Sequence, residues 1–188
     1  MSYELLDTVV FAELEVPVEV KSDKLVEIGG LKVELKRGAK LNLPLRLSHT
    51  LMREGIVKLD EGKLYSLNML NKIRWREERS ERLQKLEKDF YLKSRLTLSV
   101  LEEKARQGYD SYEPRSSIKQ FKITLMDIVK RRVYKIAKIA LANPEPSRDL
   151  MEIMTREERV LYIKLCDLIK SWQESMKLFI ERGEVIER

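Results

Sequence analysis

From Thr8 to Leu43 apolar and polar residues alternate in short runs: Val9 to Val16, Val18 to Val20, Leu25 to Ile28, Leu31 to Leu35 and Lys40 to Leu43. A period of two places one face of each run on a core and the other in water, which predicts strands. Gly29-Gly30 sits between the third and fourth runs as a two-residue hairpin turn, and Lys36 to Ala39, with Gly38, forms the next turn. Pro44 suits the first position of a short helix running to Glu54, Gly55 ends it, and a last strand follows near Ile56 to Leu59.

After Gly62 the apolar spacing changes to three and four. This predicts a helix from about Leu67 to about Arg106 with a break near Ser80, a loop over Gly108 to Ser117, and a long helix over Ser117 to Ala142. Asn143-Pro144 ends that helix, because proline can neither donate nor fit inside it. A last helix starts at Thr155, where the hydroxyl and the Glu158 carboxylate match a capping box, and runs to Arg182, with Gly183 as its terminator. The expected class is α+β, a small N-terminal β domain (1–60) followed by a larger all-α domain (61–188).

Both long helices carry more apolar surface than one packing layer uses. In the first, Ile118, Phe121, Leu125, Ile128, Ile136 and Ile139 form one stripe beside Met126, Val129, Val133, Ala137 and Ala140. In the last, Leu161, Leu165, Leu168, Trp172 and Phe179 lie beside Tyr162, Cys166, Ile169, Met176 and Ile180. The surplus must face another helix or another chain. Phe121, Ile128, Leu168, Trp172 and Phe179 are the candidate anchors of a subunit interface.

Composition adds three points. A hydrophobic share of 43% builds a core, and a charged share of 36%, with one cysteine, suits an ionic, folded protein from inside the cell and from a hot environment. No apolar run approaches the roughly 20 residues of a membrane span, and the acidic, polar N-terminal stretch offers no secretory leader. The net charge of +6 is uneven, with residues 1–60 holding 9 Lys and Arg against 10 Asp and Glu, and residues 61–188 holding 28 against 21. The basic excess makes Arg74, Arg76, Lys130, Arg131 and Lys135 candidate DNA contacts, with Trp75 able to stack on a base, but the interleaved acids limit the field they create.

Chemistry for catalysis is sparse. His49 is the only histidine and Cys166 the only cysteine, and none of the seven glycines belongs to a phosphate-binding loop. No catalytic, cofactor-binding or metal-binding residue is expected. The chain is expected to act by binding other macromolecules, either as a subunit of an assembly or as a free-standing nucleic-acid-binding protein.

The segment KLVEIGGLKVELKRGAKLNLPLRLSHTLMREG, residues 24–55, resembles the small β domain of the GINS complex, in the branch that places this domain before the helical one. The likeness runs through Lys24-Leu25, Ile28-Gly29-Gly30, Gly38, Pro44-Leu45, Leu47 and Leu51, with Asp89-Phe90-Tyr91 in the helical part. It departs at Arg46, where many members of the family carry tryptophan. The resemblance implies an archaeal, non-enzymatic replication subunit of the cytoplasm, acting at the nucleoid-associated fork. It would assemble with a second GINS subunit as a two-plus-two heterotetramer. It would also link the MCM helicase to a RecJ-like partner, with weak or indirect DNA contact.

Overall fold

The computed structural model describes residues 15–28, 31–106 and 112–183. They divide into two compact units, one ending at Tyr65 and the other starting at Ser66. The first unit holds β1 (Glu15–Val20), β2 (Lys24–Ile28), β3 (Leu31–Leu35), β4 (Lys40–Pro44), α1 (Leu45–Arg53) and β5 (Val57–Leu59). The second holds α2 (Leu67–Arg79), α3 (Phe90–Arg106), α4 (Tyr112–Ala142), α5 (Arg148–Glu152) and α6 (Arg156–Arg182). The class is α+β, with a small β region before a larger helical one.

In the β unit, β1 lies between β4 and β5 in an antiparallel sheet, while among the described residues β2 and β3 pair with each other alone. Val16, Val18 and Val20 of β1 point into the core with Leu43, Leu51 and Val57. The two runs expected on either side of Pro17 are one strand, Glu15–Val20, where the structure describes them. Proline fits this central strand because its carbonyl faces the end of β5. That carbonyl takes the Asp60 N–H at 3.0 Å, and the Asp60 carbonyl takes the Lys63 N–H in place of the donor proline lacks. The Gly29-Gly30 turn and the run from Val9 to Leu14 lie outside the described residues. At the next turn Gly38 has φ +84°, and Gly55 after α1 has φ +72°, conformations open to glycine at no steric cost. Ser48, buried in α1, donates to the Pro44 carbonyl at 3.0 Å and fixes the strand-to-helix corner.

In the helical unit α4 is the common element, packing against α2, α3 and α6. The expected break after α2 is present, with Ser80 as the C-cap of α2 and a non-helical connector to Asp89. Of the loop expected over Gly108 to Ser117, the part from Tyr112 onward is helical and belongs to α4, and residues 108–111 lie outside the described residues. Pro114 is accommodated there because the first turn of a helix needs no N–H from its residues. Thr155 accepts the Glu158 N–H at 3.3 Å while Glu158 accepts the Thr155 N–H at 3.0 Å, completing the capping box that starts α6. Gly183 closes the helix in a left-handed conformation. The short helix α5 was not expected, and with Met154 it brings Leu150 and Ile153 onto Leu83, Ile136, Ala140, Tyr162 and Cys166.

Candidate functional site

Two features of the helical unit bear on function, a buried ionic centre and the helix faces it leaves outside. Along α4 the row Phe121, Thr124, Ile128, Arg132, Ile136 and Ala140 is buried. A cation therefore stands in the middle of an apolar stripe. Arg132 is 0% exposed, Glu77 1% and Glu158 3%.

The Arg132 guanidinium grips Glu158 with two parallel bonds, Nε to Oε1 at 2.6 Å and Nη2 to Oε2 at 2.7 Å. Nη1 donates to Glu77 of α2 and, at 2.7 Å, to the Gln84 carbonyl of the connector. Lys135, one turn on, places all three ammonium protons on Glu77 Oε2, the Glu77 carbonyl (2.7 Å) and the Arg82 carbonyl (3.2 Å). Tyr91 of α3 donates its hydroxyl to Glu158 Oε1 at 2.7 Å. Two cations face two carboxylates, and nearly every polar atom is satisfied, which is the condition under which a buried charge cluster does not destabilise a fold. Burial works against the charge on Arg132, but the hydrogen bond and charge of Glu158, with the charge of Glu77, outweigh it and hold the group above its ordinary pKa.

This centre corrects three expectations. Lys135 is buried at 8% exposure in the ionic centre and cannot meet a phosphate. Phe121 and Ile128, at 1% and 0%, belong to the chain's own core and are closed to a partner, because the stripe that holds them is the inward one. Of the other basic candidates, Arg131 pairs with Glu78 at 2.8 Å and Arg74 with Asp127 at 3.7 Å. Arg76 and Lys130 are exposed, and Trp75 carries the Arg79 guanidinium over its ring at 4.3 Å.

The apolar residues left outside fall on two faces. On α6 the buried residues are Glu158, Tyr162 and Cys166, all in the first half. From Asp167 to Arg182, a stretch of roughly 24 Å, no residue is buried. Leu168 and Trp172 are each 64% exposed, Phe179 49% and Ile180 76%. On α4 a second exposed set, Ile123, Met126, Val133, Tyr134 and Leu141, stands away from the buried row. Cys166 is buried, which pushes its thiol pKa up and keeps it unreactive. His49 is on the exposed side of α1. Among the described residues no group of three or more His, Cys, Asp and Glu side chains is placed to hold a metal ion, and no helix is long and apolar enough to cross a membrane.

A family model described as the Sld5 GINS complex protein helical bundle domain matches residues 64–177, more than half of the chain. No curated protein matches the chain.

Replacing Arg132 by Met leaves Glu158 buried without its counter-charge and Glu77 with Lys135 alone, so urea denaturation should show a loss of about 3 to 5 kcal/mol. Burial raises the Tyr91 hydroxyl far above its ordinary pKa of 10.0, and the neighbouring Glu158 charge and hydrogen bond add to the rise. The folded protein keeps this proton while the unfolded chain loses it. The contribution of Tyr91 is therefore intact below about pH 10 and falls as pH rises beyond that value. Thermal melts between neutral pH and pH 11 should show this loss in the unmodified protein and a shallower one in Tyr91→Phe.

Proposed function

The chain belongs to the GINS complex protein family, whose members are subunits of a DNA-replication complex, and we propose that its outward helix faces join it to a second GINS subunit in a two-plus-two heterotetramer. The observation that carries this reading is the second half of α6, where Leu168, Trp172 and Phe179 stand exposed on a well-formed helix. A soluble chain rarely leaves such a surface bare, and large aromatic side chains at the middle of an apolar patch dominate association. The outer face of α4 supplies further apolar area toward the ~800 Å² per partner that a standard interface buries.

In this reading the protein is a non-catalytic, archaeal assembly factor, working in the cytoplasm at the nucleoid-associated fork. It couples the MCM helicase to a RecJ-like partner and supports unwinding. The β unit (1–60) and the helical unit (61–188) act as separate domains. Direct DNA binding is weak. The pairing of Arg74 and Arg131 and the burial of Lys135 leave Arg76 and Lys130 of the five candidates, and with acidic side chains interleaved among the cations a shallow salt dependence follows. For the same reason a free-standing nucleic-acid-binding role is disfavoured.

Trp172→Ala should weaken association with the co-expressed partner subunit by about 2 kcal/mol or more. Because Trp172 is largely exposed in the chain alone, the melting temperature of the isolated variant should barely change. Analytical ultracentrifugation of the co-purified complex reads the first effect and calorimetry of the single chain the second. Undiminished assembly would refute the role of this face.

A further inference from the structure

The ionic centre also shapes a groove. The connector from Ser80 to Asp89 is not helical, yet it is pinned along its length by hydrogen bonds to the helices around it. The Gln84 N–H donates to Glu77 Oε1 at 3.2 Å, Arg132 donates to the Gln84 carbonyl, Lys135 to the Arg82 carbonyl, and the Leu86 N–H to the Ile153 carbonyl at 3.2 Å. The pinned connector forms one wall, the C-terminal end of α4 the base, and α5 with Ile153 the other wall. Between them lies a cavity of about 440 Å³ with an aliphatic floor of Leu83, Ile139, Ala142, Leu150 and Ile153. This volume lies in the range of sites that accept ligand groups, and the fixed walls mean little ordering is needed on binding.

The rim gives the occupant its charge. Arg82, Lys135 and Lys138 border the aliphatic floor with Glu81, and the groove continues along α4 past Lys130, Arg131 and Tyr134. Lys135 is committed to Glu77, and Arg131 to Glu78. Arg82, Lys130 and Lys138 have no ion-pair partner among the described residues, which leaves three available cations against the single carboxylate of Glu81. An elongated channel with an aliphatic pocket and a net positive rim matches an extended polypeptide that carries a bulky apolar side chain among carboxylates. Nucleic acid fits less well, because the deep part has no aromatic surface on which a base could stack.

We propose that this groove docks an acidic peptide segment of a partner protein, with one apolar side chain seated over Ala142 and Ile153 and its carboxylates on Arg82 and Lys138. The site lies apart from the exposed half of α6, and does not depend on the subunit contacts proposed for that helix.

The test is selection of random short peptides displayed on phage against the full chain, then fluorescence anisotropy with the enriched peptides as synthetic labelled probes. The enriched set should combine Asp or Glu with Leu, Ile, Phe or Trp. Lys138→Glu should lower affinity about tenfold, equivalent to about 1.4 kcal/mol, Lys138→Arg should retain it, and Ala142→Trp should abolish it by filling the floor. Circular dichroism melts of the variants separate lost binding from lost folding, and Arg82→Glu on the connector provides a second charge reversal should Lys138→Glu unfold. No acidic-apolar enrichment, or binding unmoved by both charge reversals, overturns the proposal. So does loss of binding in Trp172→Ala instead, which would seat the peptides on the α6 face. Competition by oligothymidine at equal or lower concentration overturns it in favour of nucleic acid.

Discussion

Arg132 sets the geometry of the helical unit. An apolar side chain in its place would pack in many registers at similar cost, but a guanidinium out of water is tolerable only where its donors meet fixed acceptors. Glu77 from α2, Glu158 from the start of α6 and the Gln84 carbonyl from the connector provide them, with Tyr91 of α3 completing the shell of Glu158. A shift of α2, α4 or α6 by one helical turn would strand a charge in the interior. The centre thus works as a register lock among elements that hydrophobic contact alone would hold less specifically.

The lock has a consequence at a distance. Glu158 is both the anion for Arg132 and the capping residue that starts α6, so the position of the helix and its first hydrogen bonds are fixed by one carboxylate. Tyr162 and Cys166 then anchor the next two turns in the core. Beyond them the helix continues without cover, and its direction is inherited from the anchored half. A family whose members work as subunits of a complex has use for such an arrangement, in which a rigid foot inside the bundle presents an apolar limb outside it.

Much of this architecture is legible in the residues. The change from a period of two to three and four marks the passage from strands to helices. Gly38, Gly55 and Gly183 sit where left-handed backbone is required, and Thr155 with Glu158 announces the start of α6. What the sequence leaves open is which of two adjacent apolar stripes turns inward. Phe121 and Ile128 look the same from composition as Trp172 and Phe179, and only the packing of α4 against three neighbours makes the first pair core and the second pair surface. Lys135 is misleading for the same reason, since a cation on a helix suggests solvent unless its buried partner is known. The signal for the ionic centre was nonetheless present. The row from Phe121 through Ile128 to Ile136 passes through position 132, and an arginine there demands buried carboxylates from elsewhere in the chain.

Hydrogen–deuterium exchange of the chain, alone and bound to its partner GINS subunit, addresses the division of α6 most directly. In the isolated chain the amides around Ile128 to Ile136 and from Arg159 to Cys166 should exchange slowly, held by the ionic centre and the core. Those from Leu168 to Ile180 should exchange faster and become protected only in the complex. Slow exchange over Leu168 to Ile180 in the chain alone, unchanged when the partner binds, would contradict the account.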